Sequence, residues 1–157
     1  MPPSRRSSDH EPCPGSDAGS ASLEFLTAGF ILLLPIVYLI LAVSSIQAGS
    51  LAVEGAARQA ARVFVQADDT TEAADRAEQA IRFALSDYGI DASSATVSVT
   101  CRPDPDDCLA RRGFVTVTVE SRVPLPLVPA VLSIDQPLGI TLSSSATQQV
   151  SRFWGAR

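Results

Sequence analysis

Glu24, which follows Gly19 by five residues near the N-terminus, is a carboxylate that could form an ion pair. Glu24 stands at the start of a long apolar run, where a carboxylate is costly unless it reaches the membrane surface or a cation. At the surface, in the first turn of a helix, the dipole would favour it by ~0.3–1 kcal/mol. Alternatively, a cut after Gly19 would free the α-amine of Ser20 for Glu24 of a neighbouring copy. At about 4 Å and an effective dielectric of about 20, such a pair gains up to ~4 kcal/mol before desolvation.

Cys101 and Cys108 flank a short tract rich in proline and aspartate. We predict a disulfide between them, worth about 2–3 kcal/mol in the loop-entropy treatment, with two free thiols in a surface loop as the alternative. A disulfide requires an oxidising compartment, so it indicates that this part of the chain faces outward. The third cysteine, Cys13, lies in a polar N-terminal segment and has no apolar lipobox before it. A zinc site is disfavoured because no second pair completes four ligands.

The sequence contains no recognisable catalytic constellation. The one histidine, His10, lies close to the N-terminus, and serines 143–145 have no histidine to activate them. Asp104, Asp106 and Asp107 do not follow the order of a calcium-binding loop, so they are interpreted as solvated turn residues. A net charge of −5 without a basic cluster argues against a nucleic-acid partner. We therefore expect neither enzymatic activity nor a bound cofactor or metal.

The element that must position Glu24 is the apolar segment from Phe25 to Ile46, which contains no charged side chain. At ~1.5 Å rise per residue, its length of about 22 residues is enough to cross ~30 Å of hydrocarbon. Pro35 is compatible with a kinked helix in lipid. A secretory signal is the competing interpretation, but its apolar core runs only about 7–15 residues. The segment therefore predicts one transmembrane helix in contact with membrane lipid.

The stretch Gly19–Phe25, which reads GSASLEF, resembles the cleavage site of type IV prepilins: a glycine, four residues, a glutamate and an apolar helix. The later tract Ala56–Arg62, AARQAAR, is similar to the small-residue and arginine signature of TadE-like pseudopilins, which belong to tight-adherence (Flp) pilus machinery. The resemblance covers about Gly19 to Val65. The chain departs from the family in its leader, where acids lie closer to the cut than the two arginines do.

This resemblance implies a minor pilin or pseudopilin, a structural component of a tight-adherence pilus or of its assembly machinery. It implies processing between Gly19 and Ser20 by a prepilin peptidase, with Glu24 and Phe25 as assembly and register residues. The implied partners are that peptidase and other pilin or pseudopilin subunits, which the N-terminal helix would contact. The implied location is the cell membrane, single-pass, with a cytoplasmic N-terminus and an extracytoplasmic C-terminal domain; entry into a surface pilus and a role in priming alone both remain open. The rival hypothesis is an unprocessed anchored or secreted domain that binds an envelope ligand.

Beyond the span, the helix is predicted to continue, because an apolar stripe repeats with helical spacing: Val53, Ala57, Ala60, Ala61 and Phe64. Glu54, Arg58 and Arg62 follow another face and predict a solvated, salt-bridged surface, with contact to headgroups or a neighbouring subunit as the alternative. Small residues in this helix would permit close contacts with other helices. These residues are Ala28, Gly29, Ala42, Ala48 and Gly49.

A second helix is predicted to start at a capping box in which Asp69 is the N-cap and Glu72 reaches back. It would run to about Asp87, with Gly89 as a left-handed residue at its end. Its predicted apolar face comprises Ala73, Ala77, Ala80, Ile81, Ala84, Leu85 and Tyr88.

From Ala95 the hydrophobic period changes to two, which predicts strands. The alternating apolar sets begin at Val97, Val115 and Ile140, and residues 102–113 would connect the first two strands as a hairpin loop. The proline-interrupted apolar segment 124–132 is predicted to cover the core, with a partner-binding patch as the alternative. Phe153 and Trp154 would either anchor the C-terminus or form a contact surface.

Together these features predict an α+β, pilin-like fold. A long N-terminal transmembrane helix continues into a small extracytoplasmic domain with a second helix and a short antiparallel sheet. The predicted segments are a cleaved cytoplasmic leader over 1–19, the helix and its amphipathic extension over 20–67, and the extracytoplasmic domain over 68–157.

Overall fold

The computed structural model describes residues 20–126 and 139–155, and of Ser20 only the backbone. The elements in chain order are helix α1 (Ser20–Phe64), helix α2 (Thr70–Ser86), a 3₁₀ helix (Ala92–Ser94) and strands β1 (Thr96–Arg102), β2 (Phe114–Pro124) and β3 (Gly139–Gln149). The predicted α+β class, with a long N-terminal apolar helix, a second helix and a small antiparallel sheet, is confirmed. The predictions for the leader, and for most of segment 124–132, lie outside the described residues.

The chain divides into two compact units, Met1–Val37 and Tyr38–Arg157. In the first unit, the described residues belong to α1, which includes Pro35 within its helical range. Among the described residues, α1 is the one helix long and apolar enough to cross a membrane, judged by length and composition. All other elements lie in the second unit.

The sheet of the second unit has the strand order β1-β2-β3, and both neighbouring pairs are antiparallel. Val99 lies opposite Val117, which in turn lies opposite Ala146. Side chains alternate between the faces of a strand, so one face of β2 presents four valines and Ser121, while the other presents mainly threonines and charged residues. The valine face is buried and the other face is partly or fully exposed. Among the described residues, the sheet is therefore covered mainly on its valine face, as is common for antiparallel sheets.

The core forms where the second half of α1 and the apolar stripe of α2 meet the valine face of the sheet. The predicted α1 stripe is buried throughout. Most of the helix residues that contribute to this core are alanines, and such small side chains let backbones approach closely. At Gly49 the approach is closest to the sheet: an added Cβ would lie 2.5 Å from Val123 Cγ2 and 3.2 Å from Leu142 Cδ1.

The termini of α2 follow the predicted capping pattern with two differences. Asp69 is the N-cap and its Oδ1 accepts the backbone N–H of Glu72 at 2.8 Å. Glu72 reaches back one residue further than predicted, because its Oε2 accepts the N–H of Asp68 at 3.0 Å. Gly89 has the predicted left-handed conformation, with φ of 67°. The prediction that Tyr88 joins the buried face was wrong: it is 50% exposed, since the helix has already ended at Ser86.

The two aromatic residues of the C-terminal segment have different surroundings. Trp154 donates from Nε1 to the carbonyl of Ala67 at 2.9 Å, and its own carbonyl accepts from Arg111 Nε at 2.9 Å. Phe153 is exposed, with the Arg152 guanidinium 4.6 Å from its ring centroid. Trp154 therefore ties the C-terminal segment to the connection between α1 and α2, whereas Phe153 lies on the surface.

Candidate functional site

The apolar part of α1 in the first unit has an uncovered surface. Every described side chain from Ala21 to Val37 is exposed, including Phe25 at 78% and Ile31 at 70%. Large contiguous apolar surfaces on folded proteins usually mark contacts with a membrane or with another protein. This segment is therefore a candidate contact surface along its whole circumference.

Glu24 is the acidic residue of that surface. It lies four residues after Ser20, the first described residue of α1, so its position relative to the helix start stays a prediction. Its side chain is exposed, and none of the ion pairs formed within residues 20–126 and 139–155 includes it. The nearby Thr27 hydroxyl donates to the Leu23 carbonyl at 2.8 Å, within the helix itself. The Glu24 carboxylate therefore points outward from α1 without an ion-pair partner in the described chain.

The predicted processing residues adjoin this acid. Gly19 lies outside the described residues, and Ser20 is the first residue of α1. Residues four apart lie on the same side of a helix, so Ser20 and Glu24 occupy one side of α1. Phe25 follows on a neighbouring side and is exposed.

The second half of α1 presents a charged face to solvent. Arg58 and Glu54 form an ion pair four residues apart, with exposed fractions of 69% and 41% for their side chains. Exposed pairs of this kind contribute only about 0.3–0.5 kcal/mol. Arg62 is also exposed. This arrangement agrees with the predicted solvated face.

The small residues predicted to contact other helices differ in exposure, and Ala42 and Ala48 are partly buried. Gly49 is buried against Val123 and Leu142 of the same chain, so the expectation that it contacts another helix was wrong. The reason is that the sheet folds back onto α1 at this position. Gly29 is exposed, and an added Cβ there would meet nothing within 4 Å. Gly29 and the neighbouring Ala28 thus remain on the uncovered part of the helix.

The disulfide predicted between Cys101 and Cys108 is present, with the two Cα atoms 5.0 Å apart. It joins the buried end of β1 to the loop that leads towards β2, beside the buried Leu109. Within that loop, Asp104 accepts the backbone N–H of Asp106 at 3.0 Å, as expected for a turn residue. In the part of the chain that the structure describes, no three His, Cys, Asp or Glu residues are grouped as metal ligands.

A groove between α2 and β1 was not anticipated from the sequence. It has a volume of about 710 Å³, and Ala77 and Ile81 of α2 face Val97 and Val99 of β1 across it. Asp91 lies at its rim, where the backbone N–H and then the side chain of Ser93 lower the pKa of this carboxyl. Val97 and Val99 alternate like core residues yet are 40% and 41% exposed. Their exposure follows from the position of β1 at the sheet edge, which hydrophobic alternation does not reveal.

The structure brings together the two cysteines and places Glu24 and Phe25 on the uncovered part of α1. The groove beside β1 is separate in the chain from this helix segment. Comparisons of the chain with protein-family models, with curated proteins and with solved structures found no match.

Proposed function

We propose that this protein is a minor pilin or pseudopilin of the tight-adherence type, held in the membrane and in its assembly through α1. The observation that supports this most strongly is the division of α1, a helix of 45 residues. Its first part exposes apolar side chains on every side, while its second part supplies the core of the folded domain. A subunit that assembles through its helix requires such a division.

Glu24 supports the same proposal. The exposed carboxylate stands in an otherwise uncharged apolar helix and has no ion-pair partner among the described residues. Holding a charge at such a position is costly unless a cation neutralises it. The α-amine of Ser20 on a neighbouring subunit, created by cleavage after Gly19, is the partner that we propose. Cleavage would then make the chain competent for assembly.

The topology in this proposal has the N-terminus in the cytoplasm and the domain outside. The Cys101–Cys108 disulfide supports an oxidising environment for the domain. The prepilin peptidase and other pilin or pseudopilin subunits are the proposed partners, in contact with membrane lipid around α1.

The processing step is tested by two glycine substitutions in the leader, followed by the mass of the chain recovered from membranes. Gly19→Leu should leave the leader attached, because a bulky residue replaces the glycine at the scissile bond. Gly15→Leu is the matched control, since it makes the same change four residues upstream, and its leader should still be removed. Equal processing of both variants would contradict the proposal.

The assembly step is tested by Glu24→Gln, which keeps the shape of the side chain and removes its charge. The variant should be processed normally but should co-purify with fewer partner subunits. Glu54→Gln, which alters an exposed acid further along α1, should have no such effect. If Glu24→Gln assembled like the unmodified chain, Glu24 would have no role in register, and an unprocessed or passively anchored binding domain would gain support.

A further inference from the structure

Within the described residues, most of both edge strands lacks the charges and prolines that usually prevent edge-to-edge pairing. Natural edge strands commonly contain charged residues, prolines or bulges, because their unpaired backbone groups can otherwise recruit another strand. The edge strand β1 has no charge or proline from Thr96 to Cys101. The opposite edge strand β3 has none from Gly139 to Gln149. Judged by the side chains of the described strands, β3 and the Thr96–Cys101 part of β1 could each accept a further strand.

The β1 edge also has an apolar surface that an additional strand would cover. Val97 and Val99 point to the same face as Val119 and Val117, which are fully buried at the centre of the sheet. The helices cover that centre but leave the two β1 valines at the floor of the groove beside α2. A strand placed alongside β1 would remove these side chains from water and satisfy the edge backbone groups.

We propose that β3 of a second copy of this chain pairs with β1, so that the sheet continues from one molecule into the next. The choice of β3 follows from strand direction. Since β1 and β3 are both antiparallel to β2, they run the same way within one molecule. Two copies in the same orientation therefore present β1 and β3 to each other as a parallel pair.

Anchoring in one membrane imposes that common orientation, and in this respect the inference rests on the proposed function. The strands run along the second half of α1, because Gly49 abuts Val123 near one end of the sheet, while Trp154, beyond the other end, bonds Ala67 after the helix. An antiparallel pairing of β1 with β1 would invert one copy relative to the other along this direction. Within the second unit, α1 begins at Tyr38, so two copies anchored in one bilayer enter it from the Tyr38 end, and this pairing would place those ends on opposite sides.

The register between β1 and β3 follows if the two copies lie at the same distance from the membrane. Within one sheet, Ser98 of β1 and Ser145 of β3 both lie level with Thr118 of β2. Ser145 of the second copy would then lie beside Ser98 on the polar face. On the other face, Ala146 of the second copy would lie beside Val99 and partly cover it. Each molecule offers β1 at one edge and β3 at the other, so the pairing is heterologous and can extend beyond two copies.

The test is disulfide trapping in the full-length chain in its own membrane, with Cys13→Ser as background. The double variant Ser98→Cys/Ser145→Cys should give a ladder of dimers, trimers and larger species under mild oxidation. Two strand spacings, about 9–10 Å, separate these positions within one molecule, which exceeds the reach of a disulfide, so every link is intermolecular. Either single variant alone should stay monomeric, and the two single variants mixed in one membrane should give dimers only.

The pair Thr118→Cys/Ser145→Cys is the matched control. Thr118 lies on the same face but in the central strand, directly opposite Ser145 of the same molecule, so any disulfide in this variant should be intramolecular and no ladder should form. A dimer from Ser98→Cys alone would indicate that two β1 strands meet, and it would overturn the proposal. Links to a different protein, or no links at all, would also overturn it. These outcomes are distinct from failure of the proposed function, because cleavage after Gly19 is read separately from the same samples.

Charge substitutions provide a second measurement. A second cysteine pair, Thr100→Cys/Thr147→Cys, reports the same contact. These positions lie on the same face as Ser98 and Ser145, two residues further along each strand. Adding Ser98→Lys and Ser145→Lys should abolish its ladder, because like charges would meet across the new edge. Replacing the second lysine by glutamate should restore the ladder. If the lysine–glutamate variant keeps the circular dichroism spectrum of the unmodified chain but forms no ladder, the proposed contact is contradicted.

Discussion

Replacing Gly49 by alanine tests the packing of α1 on the sheet. The added methyl group would lie 2.5 Å from Val123 Cγ2, 3.1 Å from Val123 Cγ1 and 3.2 Å from Leu142 Cδ1. These atoms are side-chain ends in a packed region, so relief requires Val123 and Leu142 to shift. Inserting a methyl group into a well-packed core typically costs about 1–3 kcal/mol.

A second effect acts in the opposite direction. Alanine is favoured over glycine within a helix by about 0.8–1.0 kcal/mol. Gly55→Ala makes the same change at an exposed position of α1 where an added Cβ meets nothing within 4 Å. That variant should therefore be stabilised by about 0.8–1.0 kcal/mol. The preference of a helix for alanine over glycine contributes equally to both variants. The difference between their free energies of unfolding therefore gives the packing cost at Gly49, about 1–3 kcal/mol.

The assay is urea unfolding of the full-length chain in detergent micelles, followed by tryptophan fluorescence. The chain has one tryptophan, so the signal reports Trp154, whose indole bonds the Ala67 carbonyl in the folded domain. Gly49→Ala should unfold at lower urea than Gly55→Ala. If both variants were stabilised equally, α1 would not pack against Val123 and Leu142 as described.

Three further changes test other contacts of the domain. Reducing the disulfide between Cys101 and Cys108 should lower the free energy of unfolding by about 2–3 kcal/mol, and equal melting with and without reductant would contradict this. Asp69→Ala removes the N-cap of α2 and should cost about 0.5–2 kcal/mol, whereas Asp75→Ala, beyond the first turn of the same helix, should cost nothing measurable by thermal unfolding. Trp154→Phe removes the hydrogen bond to the connection after α1 and should lower stability, measured by circular dichroism, by about 0.5–1.5 kcal/mol or more; an unchanged midpoint would show that this bond does not contribute.

The elements of the domain could be predicted because their sequences are locally consistent. The α1 stripe that begins at Val53 repeats with helical spacing and is buried throughout. The Asp69 cap and the left-handed Gly89 mark the limits of α2 to within a few residues. The strand periods at Val97 and Val115 place both on the valine face of the sheet. Each of these signals depends on residues close together in the chain.

Features that depend on distant residues could not be predicted in the same way. Gly49 was interpreted as a helix-contact residue because nothing nearby in sequence shows that Val123 returns to it. Val97 follows the same alternation as Val117, yet only the strand order shows that it lies at an edge and is half exposed. The Trp154 hydrogen bond joins residues that are far apart in the chain. Sequence period thus predicts which face a residue takes, whereas strand order determines whether anything covers it.

The same distinction applies to the candidate site. Glu24 and the apolar helix that follows it were recognisable from composition and spacing alone, and the structure places both on an uncovered surface. The groove beside α2 required the three-dimensional arrangement, because Ile81 and Val99 come from elements with different periods.

The first residue of the protein recovered from native membranes decides whether cleavage creates the amine that Glu24 is proposed to pair with. Terminal sequencing or intact mass of that material should find Ser20 at the N-terminus. A chain that still begins at Met1, or one that begins near Ile46, would contradict processing after Gly19 and the assembly mechanism built on it.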